Sequence, residues 1–197
     1  MKKTTGFTLI ELIVTIAVFA IAAAMAIPNL NSFIDSNRRA ANINTFVSAM
    51  NLARSEAVKR NNDISVCVRN DAGTDCDAAK NWENGWLVFV DDGVKGDVNG
   101  SDVILRVYDP IFKRTTPLDV SFRETEANIK FITYQYKGNT NTIATFRRCD
   151  YDAAGNGAVS KARAVIVSLS GRTRLSKDSN DDGTHEGRIN TTNLTCP

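Results

Sequence analysis

From Phe7 to Ile27 the chain reads FTLIELIVTIAVFAIAAAMAI, apolar except for Thr8, Glu11 and Thr15. About twenty such residues, each adding 1.5 Å of helix, reach across the hydrocarbon core of a bilayer. A secretory signal is the simplest alternative, but its apolar core usually runs about 7–15 residues. Glu11 also argues for a more specific design, because a carboxylate at the centre of a membrane helix costs about 2.5–3.5 kcal/mol. Nearer the end of the run the cost is smaller, yet it still has to be offset by a partner. Cutting the chain between Gly6 and Phe7 would create an α-amino group four residues before Glu11. On a neighbouring subunit that ammonium would be the partner.

Beyond Asn29 helical character continues to about Arg60. Phe33, Ala40, Ile43, Val47, Met50, Ala53 and Ala57 fall at the three-and-four spacing of one helix face. Arg38, Arg39, Arg54, Lys59 and Arg60 fall on the other faces, and Asn61-Asn62-Asp63 supplies a stop. Short segments rich in β-branched and aromatic residues then read as strands: ISVCVR (64–69), GWLVFV (85–90), VILRVY (103–108), LDVSF (118–122), IKFITY (129–134), TIATFR (142–147) and AVIVSL (164–169). A long helix followed by strands gives an α+β fold, with the amphipathic half of the helix packed on antiparallel sheet. The last stretch, from Ser176 to Pro197, is polar and weakly patterned and reads as a loop or tail pinned by Cys196.

The amino-terminal pattern Gly6-Phe7-Thr8-Leu9-Ile10-Glu11-Leu12 and the apolar run behind it resemble the class III signal of type IV pilins and type II secretion pseudopilins. NLARSEAVKRN, GWLVFVDD, VILRV and VSLSGRTR further resemble the GspH/FimT/FimU branch, whose members are minor pilins and pseudopilins. The resemblance implies a leader over 1–6, cleavage after Gly6 by a prepilin peptidase and N-methylation of Phe7. It also implies a membrane-spanning and filament-core helix over 7–28 that is softened at Pro28. The amphipathic half of the same helix over 29–62 and a periplasmic β-rich domain over 63–197 would follow. The implied location is the bacterial inner membrane, crossed once, and then a pilus or pseudopilus. The implied partners are other major and minor pilins or pseudopilins, with Glu11 pairing with the Phe7 amine of the next subunit.

The chemistry of the remainder is sparse. One histidine, no thiol–histidine spacing and no Gly-rich phosphate loop leave no nucleophile with an oriented base, so no enzyme is expected. No cofactor is expected either. The four scattered cysteines fit two disulfides in an oxidising compartment better than a zinc site, with Cys67–Cys76 and Cys149–Cys196 the favoured pairing among three. The acidic stretch from Asp91 to Asp102 departs from calcium-loop spacing, and its Asn99-Gly100 reads as a hairpin turn.

Gly171-Arg172-Thr173-Arg174 remains. In extended backbone Arg172 and Arg174 share a face, and two guanidinium forks suit two phosphates. The net charge is only +2, but Arg147, Arg148, Lys161, Arg163, Arg172, Arg174 and Lys177 form a local basic region. GRTR also matches the GRxR pattern associated with DNA binding in FimT-like proteins. Two readings therefore stand: a solvated strand end, or a contact to double-stranded DNA through Arg172, Arg174, Lys177, Arg163 and Arg148. Asp178, Asp181, Asp182 and Glu186 follow directly and would weaken that field.

Overall fold

The computed structural model describes residues 6–110, 120–124, 129–140, 142–150, 162–187 and 193–194. The leader before Gly6, Lys161 and Cys196 lie outside them, as does the start of the LDVSF segment. The chain divides into two compact units, Met1–Ala41 and Asn42–Pro197.

One helix, α1, runs from Leu9 to Arg60. Thr8 caps it: its hydroxyl oxygen accepts the Glu11 N–H at 3.3 Å, and its carbonyl accepts the Leu12 N–H at 3.2 Å. Thr8 and Glu11 thus hold the positions of a capping box, with the acid also at the electropositive end of the helix. At the other end Asn61 takes a left-handed φ of 53°, and the Asn62 N–H reaches back to the Ala57 carbonyl at 3.2 Å. This is a Schellman closure, and Asn is one of the few residues other than Gly that accepts the conformation.

In the second unit α1 buries Ile43, Phe46, Ala49, Met50, Ala53 and Ala57. Phe33 and Ala40, read from their spacing as part of the packed face, are exposed. Periodicity identifies an apolar face but not what covers it.

Among the described residues eight strands form two antiparallel sheets. The first has the order β3-β2-β1-β5, from β1 (Ile64–Val68), β2 (Trp86–Val90), β3 (Ile104–Tyr108) and β5 (Phe131–Tyr134). The second has the order β4-β6-β7-β8, from β4 (Val120–Glu124), β6 (Ala144–Asp150), β7 (Arg163–Val167) and β8 (Thr173–Leu175). Seven of these strands lie within or overlap the segments read from composition. The eighth, β8, takes in Thr173 and Arg174 of the GRTR stretch and is too short and polar to register as a strand by pattern.

Alternate residues of both sheets face the helix. Val66, Val68, Trp86, Val88, Ile132, Tyr134, Phe146, Val165 and Val167 join the helix residues in one core. Phe46 sits at its centre, with ring centroids 5.6 Å from Trp82, 4.9 Å from Trp86 and 4.7 Å from Phe146. The opposite face of the first sheet is also covered, by a small cluster of Cys67, Leu87 and Phe89. That explains why ISVCV and WLVFV read as unbroken apolar runs with little alternation.

Candidate functional site

The amino-terminal unit presents Phe7 at 75% exposure, immediately ahead of the Thr8 cap. Glu11 is exposed on the first turn. Leu9, Ile13, Phe19 and Met25, which point to different sides of the helix, are each more than half exposed. Such a surface needs lipid or other protein around it. Among the described side chains no helical stretch is both long and apolar enough to cross a membrane. The side chains of residues 26–29 lie outside the described ones. Pro28 falls within α1, and its side chain is outside the described ones.

The basic stretch sits on one of two matching hairpins. In the first, the Gly138 N–H donates to the Gln135 carbonyl at 2.7 Å and the Gln135 N–H to the Asn139 carbonyl at 2.8 Å. In the second, the Gly171 N–H donates to the Ser168 carbonyl at 2.8 Å and the Ser168 N–H to the Arg172 carbonyl at 3.0 Å. Gly138 and Gly171 have φ of +77° and +71°. Each loop is thus three residues long and ends on a left-handed glycine, a standard hairpin closure. The loops touch: the Thr140 N–H donates to the Leu169 carbonyl at 2.9 Å. Arg54 of α1 holds both, its Nε donating to the Gly138 carbonyl at 2.9 Å and its Nη2 to the Ser170 carbonyl at 3.2 Å.

Gly171 is buried, and the backbone it approaches is that of Gly138. One sequence expectation changes here. Arg54 is not surface decoration. It follows Met50 by four residues and precedes Ala57 by three, so it lies on the buried stripe, and that spacing was the signal available in the sequence.

The five candidate phosphate-binding residues separate by depth. Arg172, Arg174 and Lys177 are exposed, Arg163 is half-buried, and Arg148 is buried. Arg174 pairs across the sheet with Ile166, and Arg148 with Arg163. Along β6 and β7 alternate residues face opposite sides, so Arg148 and Arg163 lie on the side of Phe146 and Val165, and Arg174 on the other. The Arg163 Nη1 donates to the Ala162 carbonyl at 2.8 Å, and the Arg174 Nη2 reaches the Gly187 carbonyl at 3.4 Å.

The other polar groups stabilise loops. Asp91, buried, accepts from the Ser65 hydroxyl and from the Gly96 N–H, and has Lys95 3.8 Å away. Asp102 accepts the N–H groups of Asp92 at 2.8 Å and Asn99 at 2.9 Å. The loop from Asp91 to Asp102 is therefore a hairpin connection that uses its own carboxylates. His185 Nδ1 lies 2.9 Å from the Ser176 carbonyl and 3.1 Å from the Ser176 hydroxyl. Cys67 and Cys76 form a disulfide, with Cα atoms 5.7 Å apart. Cys149 is also disulfide-bonded.

Comparison with known proteins agrees with these two regions. The model of the prokaryotic N-terminal methylation motif matches residues 1–27, and that of type II transport protein GspH matches residues 42–171. No curated protein matches. Two crystal forms of the type IV minor pilin FimU from Pseudomonas aeruginosa share the fold. One gives a TM-score of 0.54 at 21% identity, covering 80% of this chain and 98% of FimU. The other gives 0.50 at 22%, covering 76% and 97%. With a capped, exposed apolar amino terminus that carries the methylation motif, and a two-sheet unit that the GspH model matches through Gly171, the chain belongs to the GspH family, in the GspH/FimT/FimU branch of minor pilins and pseudopilins.

Proposed function

We propose that this chain is a minor type IV pilin. It is cleaved by prepilin peptidase between Gly6 and Phe7 and methylated at Phe7. The helix over 7–28 then crosses the inner membrane once, with the remainder in the periplasm. In this reading the subunit enters a pilus with other pilins, priming assembly or sitting at the tip, and Glu11 pairs with the Phe7 amine of its neighbour. The observation that carries the reading is the methylation motif lying on a helix whose apolar side chains are exposed all round. Glu11→Ala should leave cleavage intact and lower the amount of subunit in sheared pili. Wild-type incorporation of that variant would refute the pairing.

The finer assignment is DNA contact during uptake, through Arg172 and Arg174 with Lys177. It is supported by the exposure of these three residues around one short hairpin strand. Two or three phosphate contacts would make binding weak, indifferent to sequence and salt-sensitive, with a log–log salt slope of about −2 to −3. The test is fluorescence anisotropy of a labelled duplex with the full chain in detergent, across a salt series. Binding that weakens with salt and disappears in Arg172→Ala/Arg174→Ala supports the reading. No binding at low salt leaves GRTR as a solvated hairpin and the chain as a filament-priming subunit.

A second reading, a pseudopilin of a type II secretion system, is favoured by the GspH description of the matching family. It predicts that deletion retains secreted proteins inside the cell while surface pili persist.

A further inference from the structure

Between β8 and the end of the chain lies Asp178-Ser179-Asn180-Asp181-Asp182-Gly183-Thr184-His185-Glu186. The geometry points to a calcium site in this loop, with oxygens from Asp178, Asn180, Asp182 and Glu186 and the carbonyl of Thr184. Asp, Asn and Asp at alternate positions followed by glycine are the opening of a calcium loop, in which the next carbonyl also coordinates. Gly183 occupies the sixth position at φ +84°, with open space where a Cβ would stand. Loops of the twelve-residue type close with a glutamate at the last position. Here closure comes sooner. Lys177 and Glu186 form an antiparallel bridge, the Glu186 N–H donating to the Lys177 carbonyl at 3.0 Å. That folds the ninth residue back beside the first.

One carboxylate oxygen from each of Asp178, Asp182 and Glu186 lies within 4.8 Å of the others. Calcium–oxygen bonds of about 2.3–2.6 Å span such a gap from its centre. Asn180 lies beside the cluster, its Nδ2 donating to Asp182 Oδ2 at 3.0 Å, as Asn193 Nδ2 does at 2.8 Å, and its Oδ1 accepting the Asp182 N–H at 3.2 Å; its amide would turn over to present the oxygen to an ion.

A cluster of acids alone would not establish a site; the state of Glu186 does. This side chain is 1% exposed. Its Oε2 accepts the Ser179 N–H at 2.8 Å, but its Oε1 is buried with no hydrogen-bond partner. Asp178 Oδ1 is in the same condition. Among the described residues none of the three acids takes part in an ion pair. A buried, unpaired carboxylate beside two others is strongly unfavourable unless a cation joins them. The loop around Asp91 makes the contrast, since there Lys95 supplies the cation.

The donor set selects the ion. All of the ligands are oxygens, which excludes a preference for zinc or other soft metals. Magnesium usually keeps several waters and takes only one or two carboxylates, whereas this loop brings three carboxylates together. The expected affinity is that of extracellular calcium modules, with Kd of about 10⁻⁴–10⁻³ M.

The test is thermal unfolding of the full chain in detergent, stripped with chelator and titrated with calcium chloride or magnesium chloride. At about 10 mM calcium the wild type should gain roughly 3–8 °C in Tm, with a smaller gain from magnesium. Glu186→Gln should lose that gain while its metal-free Tm equals or exceeds that of the wild type, because the unpaired charge is gone. Asp182→Asn, at an exposed position, should weaken the response at least tenfold in calcium concentration without disturbing buried structure. No calcium response in the wild type overturns the assignment. So does a response preserved in both variants, and an equal response to magnesium overturns the choice of calcium.

Discussion

Replacing Gly171 by alanine tests whether the glycine of GRTR serves the fold or a ligand. The left-handed φ of +71° costs a non-glycine residue about 1–2 kcal/mol. A Cβ added there would lie 2.0 Å from the Gly138 carbonyl oxygen and 3.3 Å from Arg54 Nε. The two hairpins would have to separate by about 1 Å to reach the closest tolerable contact of 3.0 Å. That movement pulls on the Arg54 bonds to Gly138 and Ser170 and on the bond between Thr140 and Leu169. Losing one charge-assisted bond adds about 1.5–3 kcal/mol. The total of about 3–5 kcal/mol corresponds to a fall of roughly 6–20 °C in Tm for a unit of this size. Arg172→Ala/Arg174→Ala, at exposed positions, should change stability by only about 0.5 kcal/mol per site. Scanning calorimetry of the three chains would read both effects. Gly171→Asn separates the two causes, since asparagine accepts the conformation but still carries a Cβ. It should be nearly as destabilising as alanine. A Tm for Gly171→Ala within about 2 °C of wild type would refute the argument.

Phe46→Ala should cost about 3–5 kcal/mol. Phe46→Leu, which keeps most of the volume but loses the edge-on contacts with Trp82 and Trp86, should cost about 1–2 kcal/mol by chemical denaturation. Burial raises the pKa of the Tyr134 phenol, offset only in part by the Thr173 hydroxyl and Arg54. The folded chain therefore holds this proton longer than the unfolded one, so its contribution is complete below pH about 10 and fades above it, by at most about 1.4 kcal/mol per pH unit. Tyr134→Phe should flatten the alkaline fall in Tm; an unchanged slope would show that the phenol ionises freely in the fold.

The helix and most strands were legible because their signals are local. An apolar run, a three-and-four spacing or a cluster of β-branched residues reports burial whatever the partner. The hairpins were less so. GRTR was read for its charges, but the physical constraint on Gly171 comes from Gly138, which is distant in sequence and near only after folding. Arg54 was assigned to an exposed face by its charge, although its place between Met50 and Ala57 marked the buried stripe. The closing segment was read as a polar tail because its hydrophobic pattern is weak. Its order comes from carboxylates, asparagines and one glycine at fixed offsets, a pattern that hydropathy does not register. Arg148 and Arg172 carry the same charge in the sequence, and only strand register shows that one faces the core.

β1 lies between β2 and β5, with Ile64 opposite Val90 on one side and Tyr134 on the other. A chain that emerges amino terminus first presents ISVCV early, and β2 soon pairs with one edge of it. The other edge waits for Phe131–Tyr134. Through that interval a five-residue, β-branched strand with no charge offers its free backbone groups to any other extended segment, which is the setting in which mispairing begins. The later strands escape this delay, because β6, β7 and β8 are neighbours both in sequence and in the sheet. Maturation of the domain should therefore be limited by how long that first edge stays open, and a chaperone that shields it would be needed only until Tyr134 arrives.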